Sequence, residues 1–279
     1  MSQLLRVAAD LLLEALRRRW FLGLFAAISV VLLLLGLTLR LDVVDGALAS
    51  SSLFGKALFN DTIFIGQTML GWISFIVAMG GFYGGAVFLS LACADFATEL
   101  LSPGRIEHLL SLPIARWQLL FGTWLGVITL AGLGTLYGAV GLTVLLGVKS
   151  GLWSWGLVLG SGIGWVGFTA IYAAMLAVSF FVRSTVLASA TGLITLVLGV
   201  LASHREGVAS AVDTGPWRWA FRALVMPVPR FDTLAWASAT IAMGQPVDHR
   251  VIGKLLLACL IFSGAALSIA TWKFERKDF

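Results

Sequence analysis

The sequence predicts an all-α membrane protein with six transmembrane helices, and three observations carry that expectation. Hydrophobic residues make up 59% of the chain and charged residues only 12%, where an ordinary soluble domain carries about 25%. Mean hydropathy is +0.97. Uncharged runs, such as 62–94 and 117–148, exceed the roughly 20 apolar residues that a helix needs to cross a bilayer. The composition argues against a soluble enzyme. The alternating ten-residue strands of an outer-membrane barrel are missing from the sequence. The net charge is +5. Its basic residues stand beside the apolar runs, so lipid headgroups and topology explain them better than nucleic acid does.

Residues 1–19 read as an amphipathic helix lying in the interface. Gln3, Arg6, Asp10, Glu14 and Arg17 form one polar stripe, and Leu4, Val7, Ala8, Leu11, Leu12 and Ala15 fill the other faces. Arg17, Arg18 and Arg19 place this end in the cytoplasm by the positive-inside rule. A single six-span domain, 20–279, follows. Its first span is 20–39. A cleaved signal peptide is the rival there, because Ala47-Leu48-Ala49 resembles a cleavage site. The length of the apolar run and the charges at Arg40, Asp42 and Asp45 favour a retained helix. An outer loop is expected over 41–61.

The second span lies within 63–92 and carries Gly80, Gly81, Gly84 and Gly85 at two overlapping G-x-x-x-G spacings. Such spacing lets helix backbones approach closely in lipid. Packing within the bundle is favoured over a homodimer seam. The third span, 119–146, ends at an outer turn at Lys149-Ser150-Gly151. The fourth, 153–182, has a glycine stripe at Gly156, Gly160, Gly164 and Gly167. The fifth is 186–202, after an inner turn at Arg183-Ser184-Thr185.

The segment 203–250 holds Pro216, Pro227, Pro229 and Pro246, four of the six prolines. Pro216 suits the first turn of a helix, with Asp213 or Thr214 as cap. Trp217, Phe221 and Leu224 would share one face of that helix, with Arg218 and Arg222 opposite. One or two short helices in the outer leaflet are expected. Arg205, Arg218, Arg222, Arg230 and Arg250 run against the positive-inside rule, and snorkelling relieves the conflict. The sixth span is 255–272. The basic tail after it puts the C-terminus in the cytoplasm, and an even number of spans agrees.

Among chemical motifs the sequence has no H-E-x-x-H, G-x-S-x-G or C-x-x-C, and no G-K-[ST] of a P-loop. No catalytic residue, metal ligand or cofactor site is expected in this chain. Cys93 and Cys259 read as buried small hydrophobes. The uncharged runs contain no carboxylate of the kind that couples carriers to ions. Tyr83, Tyr137 and Tyr172 fall inside spans, where each hydroxyl needs a partner; Thr135 and Thr169 are available.

Between the second and third spans lies a polar island, 99–123, with Asp95 just before it. Ser102-Pro103 is a good helix start. Ile106, Leu109 and Leu110 then share a face, and Pro113 closes the helix. Glu99, Gly104, Arg105, Ile106, Glu107, Leu109, Leu110, Pro113 and Arg116 fit the pattern E-x4-G-[TR]-[LI]-E-x-L-L-x-x-P-x-x-R. In this the chain resembles the ABC-2 type permeases, the membrane subunits of a class of ATP-binding-cassette transporters. Arg105 stands where threonine is commonest in that family, and Thr123 where many members carry lysine.

The resemblance implies a permease that forms the translocation path in a prokaryotic cytoplasmic membrane. Its loop 95–117, with the N-terminal helix, would dock on a separate ATPase that binds ATP and magnesium. A second copy of the chain, or a related permease, would complete the transporter. Glu107 and Arg116 would make polar contacts or fix the loop; Gly104 and Pro113 would set its shape. Glu99 and Arg105 belong to the same coupling loop. Two alternatives stand beside this reading: a secondary carrier or channel, and a membrane scaffold with no transport of its own.

Overall fold

The structure, a computed structural model, describes residues 3–17, 20–44, 47–53, 56–57, 64–100, 115–207, 223 and 225–276. Helix α1 is Gln3–Arg17 and α2 is Trp20–Thr38. Helix α3, Gly66–Ala92, continues after a turn at Cys93 into α4, Ala94–Glu99. Then come α5, Arg116–Ser150, α6, Gly156–Ser179, and α7, Thr185–Ser203. A half-length helix, α8, Phe231–Ala242, precedes α9, His249–Glu275.

Five of these segments are long and apolar enough to cross a membrane: Leu70–Glu99, α5, α6, α7 and α9. The expected first span, 20–39, coincides with α2, which is uncharged throughout, but its apolar stretch, Leu22–Thr38, is shorter. Several spans run past their expected ends. Helix α5 reaches from Arg116 to Ser150 and stops where Gly151 takes a φ of +72° and its N–H bonds back to the Gly147 carbonyl. Glycine adopts that left-handed conformation without a steric cost. Helix α7 begins where Ser184 Oγ accepts the Leu187 N–H, and α9 where Asp248 accepts the Arg250 N–H.

The expected outer loop over 41–61 contains strands. β1, Leu39–Val44, pairs antiparallel with β2, Ala47–Leu53, with a register shift between Asp42 and Val43. β2 also pairs with β3, Lys56–Ala57, and with β4, Phe64–Ile65. The run of serines at 50–52 faces Leu41, Asp42 and Arg40 across the ladder; these polar, extended residues find backbone partners that a plain loop would lack.

Helix α6 is the centre of the bundle and touches α3, α5, α7, α8 and α9. Its inner turns, Ala170 to Leu176, contain Ile171, Tyr172, Met175 and Leu176 at 1% exposure or less. Helix α1 packs along α5 through Ala8, Leu11 and Ala15, which are buried, while Leu5 and Leu13 stay exposed. Gly126 of α5 lets this happen, since a Cβ there would sit 3.2 Å from the Ala8 carbonyl oxygen and Leu11.

Helix α8 is a short helix within the segment 203–250, and it packs into the bundle. Phe231, Leu234, Ala235, Ala239 and Ala242 are all buried, against α3, α6 and α7. The glycine stripe of the fourth span receives it: a Cβ on Gly156 would meet the Ile241 carbonyl oxygen, on Gly160 that of Ser238, and on Gly167 the Leu234 side chain. The physical reason is that small residues let α8 approach closely enough to exclude lipid. The helix expected at Pro216, with Trp217, Arg218, Phe221, Arg222 and Leu224, falls outside the described residues.

The second glycine group behaves oppositely. A Cβ on Gly80, Gly81, Gly84 or Gly85 would meet nothing within 4 Å. Among the described residues, then, nothing packs on these glycines, contrary to the favoured expectation, and they open onto a groove between α2, α3, α5 and α6.

Candidate functional site

The candidate coupling loop is bounded by α4 and α5. Helix α4 is anchored by Phe96, Ala97 and Leu100, which are buried. Thr98 Oγ1 lies 3.0 Å from Thr185 Oγ1 at the start of α7. Glu99 ends α4 and is half-buried. Gly104, Arg105, Glu107 and Pro113 lie outside the described residues, so of the six expected site residues only Glu99 and Arg116 have a described position.

Arg116 opens α5 and reaches the end of α9. Its Nη1 donates to the Phe274 carbonyl at 3.0 Å and to the Glu275 carbonyl at 3.1 Å. The guanidinium stands 5.8 Å from the Phe274 ring centroid. The last carbonyls of a helix have no partner within it, and they carry the negative end of its dipole. A guanidinium is well matched to them in charge and geometry. Phe274 is fully buried and its ring lies 4.9 Å from Phe180, in the turn between α6 and α7. Lys273 Nζ sits 5.4 Å from the Phe181 ring and Arg276 4.4 Å from Trp272. The two ends of the loop, the α6–α7 turn and the end of α9 thus share one end of the bundle.

Thr123, expected near the docking surface, is buried two turns into α5, and its hydroxyl donates to the Leu119 carbonyl. The α5 helix rotates this side chain inward, so it presents nothing to a partner.

A second polar cluster was hidden in the sequence. Tyr83 Oη donates to Asp232 Oδ1 at 2.5 Å. His204 Nε2 is 3.7 Å from Asp232 Oδ2, an ion pair when the ring is protonated. Ser203 Oγ accepts the backbone N–H groups of Asp232 and Thr233 at 3.1 and 3.3 Å and donates to the Gly199 carbonyl at 3.0 Å. The end of α7 therefore caps the start of α8, and Asp232 ties that junction to α3. Tyr83 is 17 residues from Gly66 and 16 from Glu99, about 25 Å from either end at 1.5 Å per residue. Asp232 lies outside the uncharged runs, and the fold brings it to Tyr83 of α3. Its signal was available: Arg230 and Asp232 stand directly before the uncharged stretch 233–247, which reads as a half-length helix.

The other tyrosines differ from one another. Tyr137 Oη shares a hydrogen bond of 2.8 Å with Ser29 of α2. Tyr172 is fully buried and its hydroxyl has no partner among the described residues. Thr135 and Thr169 bond instead to carbonyls within their own helices. Cys93 and Cys259 are both buried and unpaired with one another.

Compared with known proteins, the chain matches no family model and no curated sequence.

Proposed function

We propose that this chain is the permease subunit of an ABC-2 type transporter, an integral protein of a prokaryotic cytoplasmic membrane with both termini in the cytoplasm. In this reading α2 completes a set of six spans and α1 lies in the interface. A separate ATPase binds ATP and magnesium and docks on the loop 95–117; a second permease copy completes the translocation path. The observation that carries the reading is the nine-position pattern from Glu99 to Arg116. The geometry around it gives support. A partner pressing on this loop would act at once on α4, on α5 and, through Arg116, on α9. Co-purification with an ATPase whose hydrolysis depends on this loop tests the proposal.

A second reading, an ion-coupled carrier, draws support from Asp232. A carboxylate among apolar helices marks ion pathways in carriers. Substrate uptake into vesicles under an ion gradient without ATP, lost in Asp232→Asn, would favour it.

A further inference from the structure

Helix α9 has two faces of different character. Leu255, Cys259, Ala266, Ala270 and Phe274 are buried on the side of α6 and α5. On the opposite side Leu257, Leu260, Ile261, Ile269 and Trp272 are each more than half exposed. In a membrane-spanning helix such a stripe faces lipid. Exposed cations bound it, Lys254 before and Arg276 after. The stretch between them is about 33 Å long at 1.5 Å per residue, against a hydrocarbon core roughly 30 Å thick. Arg276 therefore stands at the level of the lipid headgroups.

Two elements meet at this level. The Phe274–Phe180 contact holds the end of α9 on the α6–α7 turn. Arg116 takes the Phe274 and Glu275 carbonyls, so the helix end has its cation already. Lys273 and Arg276 lie over aromatic rings instead: Lys273 Nζ is 5.4 Å from the Phe181 ring and the Arg276 guanidinium 4.4 Å from Trp272. Both rings are half exposed. Glu275 is exposed between the two cations, and among the described residues neither cation is ion-paired. A guanidinium stacked on a ring keeps its N–H donors, because they point outward in its own plane.

Chemistry selects the ligand. Half-exposed rings with cationic donors above them suit an amphiphile, whose glycerol end meets the rings while its phosphate meets the donors. Guanidinium and ammonium groups are both phosphate ligands. A zwitterionic headgroup brings its own cation beside the phosphate, so two cations together favour a headgroup of net negative charge. A soluble partner would have to share Trp272 with the bilayer, because Trp272 belongs to the lipid-facing stripe.

We propose that Lys273 and Arg276, with Phe181 and Trp272, form a headgroup site for an anionic phospholipid where α9 meets the α6–α7 turn. The site requires membrane embedding and is independent of the ATPase reading.

The test uses the full chain in phosphatidylcholine vesicles that contain a small share of photoactivatable lipid, with the diazirine next to the glycerol. Phosphatidylglycerol and phosphatidylcholine forms of this probe are compared. After illumination the segment 269–276 should carry several-fold more label from the phosphatidylglycerol probe. The paired substitution Lys273→Gln with Arg276→Gln should bring that ratio close to one. Lys273→Arg with Arg276→Lys should keep it, and so should Lys254→Gln, which removes a charge at the other end of the stripe. Equal labelling by the two probes in the parent chain overturns the proposal with no variant needed. So does a ratio that the paired glutamines leave unchanged, or one that Lys254→Gln lowers as far, since that is attraction to the whole surface. Inorganic phosphate that abolishes the ratio at constant ionic strength would make this a site for the free anion and overturn it too.

Discussion

Arg116 and Phe274 join the start of α5 to the end of α9: the Arg116 side chain donates to the Phe274 carbonyl at 3.0 Å, and its charge lies 5.8 Å from the Phe274 ring. The residue was expected either to meet a partner or to fix the loop; its described bonds tie the start of α5 to the end of α9. Replacing it by alanine leaves two terminal carbonyls of α9 without that donor. Hydrogen bonds to charged groups contribute about 1.5–3 kcal/mol, and the site is partly exposed, so Arg116→Ala should destabilise by about 1 kcal/mol. Arg116→Lys should restore only part, since an ammonium lacks the planar fork. Thermal unfolding in detergent reads both. Equal melting temperatures for all three proteins would contradict the role.

The glycines divide into two classes with opposite sensitivity. At Gly160 a Cβ would sit 2.5 Å from the Ser238 carbonyl oxygen, while at Gly84 it meets nothing. Overpacking a filled site costs about 1–3 kcal/mol. Gly160→Ala should therefore lower the melting temperature clearly. Gly84→Ala should leave it unchanged or raise it slightly, because alanine is the better helix former. A reversed order would mean that α8 does not lie on α6.

Tyr172→Phe should stabilise the protein. The hydroxyl is buried without a partner among the described residues, and such a group costs about 1–3 kcal/mol. Tyr137→Phe is the comparison, since Tyr137 does hold Ser29 and should lose stability. Melting curves of the two variants give the answer by their opposite signs.

Tyr83 and Asp232 should be energetically coupled. A double-mutant cycle with Tyr83→Phe and Asp232→Asn isolates their bond from the effects of each change alone. A coupling of about 1–3 kcal/mol is expected for a hydrogen bond to a charged acceptor. Additive effects would show that Asp232 is held by Ser203 and His204 instead.

The long helices were legible in the sequence because the signal for a span, an unbroken apolar run, is local. The stripe at Gly156, Gly160, Gly164 and Gly167 was legible for the same reason, although its partner was not. Nothing near Gly160 in sequence points to Ser238. The packing of helix α8 was not legible, because Pro227, Pro229 and five arginines mark 203–250 as irregular and give no sign of which helices receive Phe231–Ala242. Asp232 was missed with it. The glycines at 80–85 carry the same G-x-x-x-G spacing as a packed seam; only the separation of α2 from α3 shows that they are open. For the coupling loop, Glu99 and Arg116 can be placed from the chain on either side, and Arg116 proved to bind α9, a contact across 158 residues.

The central claim is that a separate ATPase acts on this chain through the loop 95–117. The most direct measurement is purification of the intact protein from its native membrane in mild detergent, followed by an ATPase assay of what accompanies it, with Glu107→Ala and Arg116→Ala variants in parallel. The account predicts that a P-loop ATPase co-purifies and that its coupling to this chain weakens in the variants. Absence of any ATPase, or hydrolysis that neither variant alters, would contradict it and leave the Asp232 cluster as the better starting point.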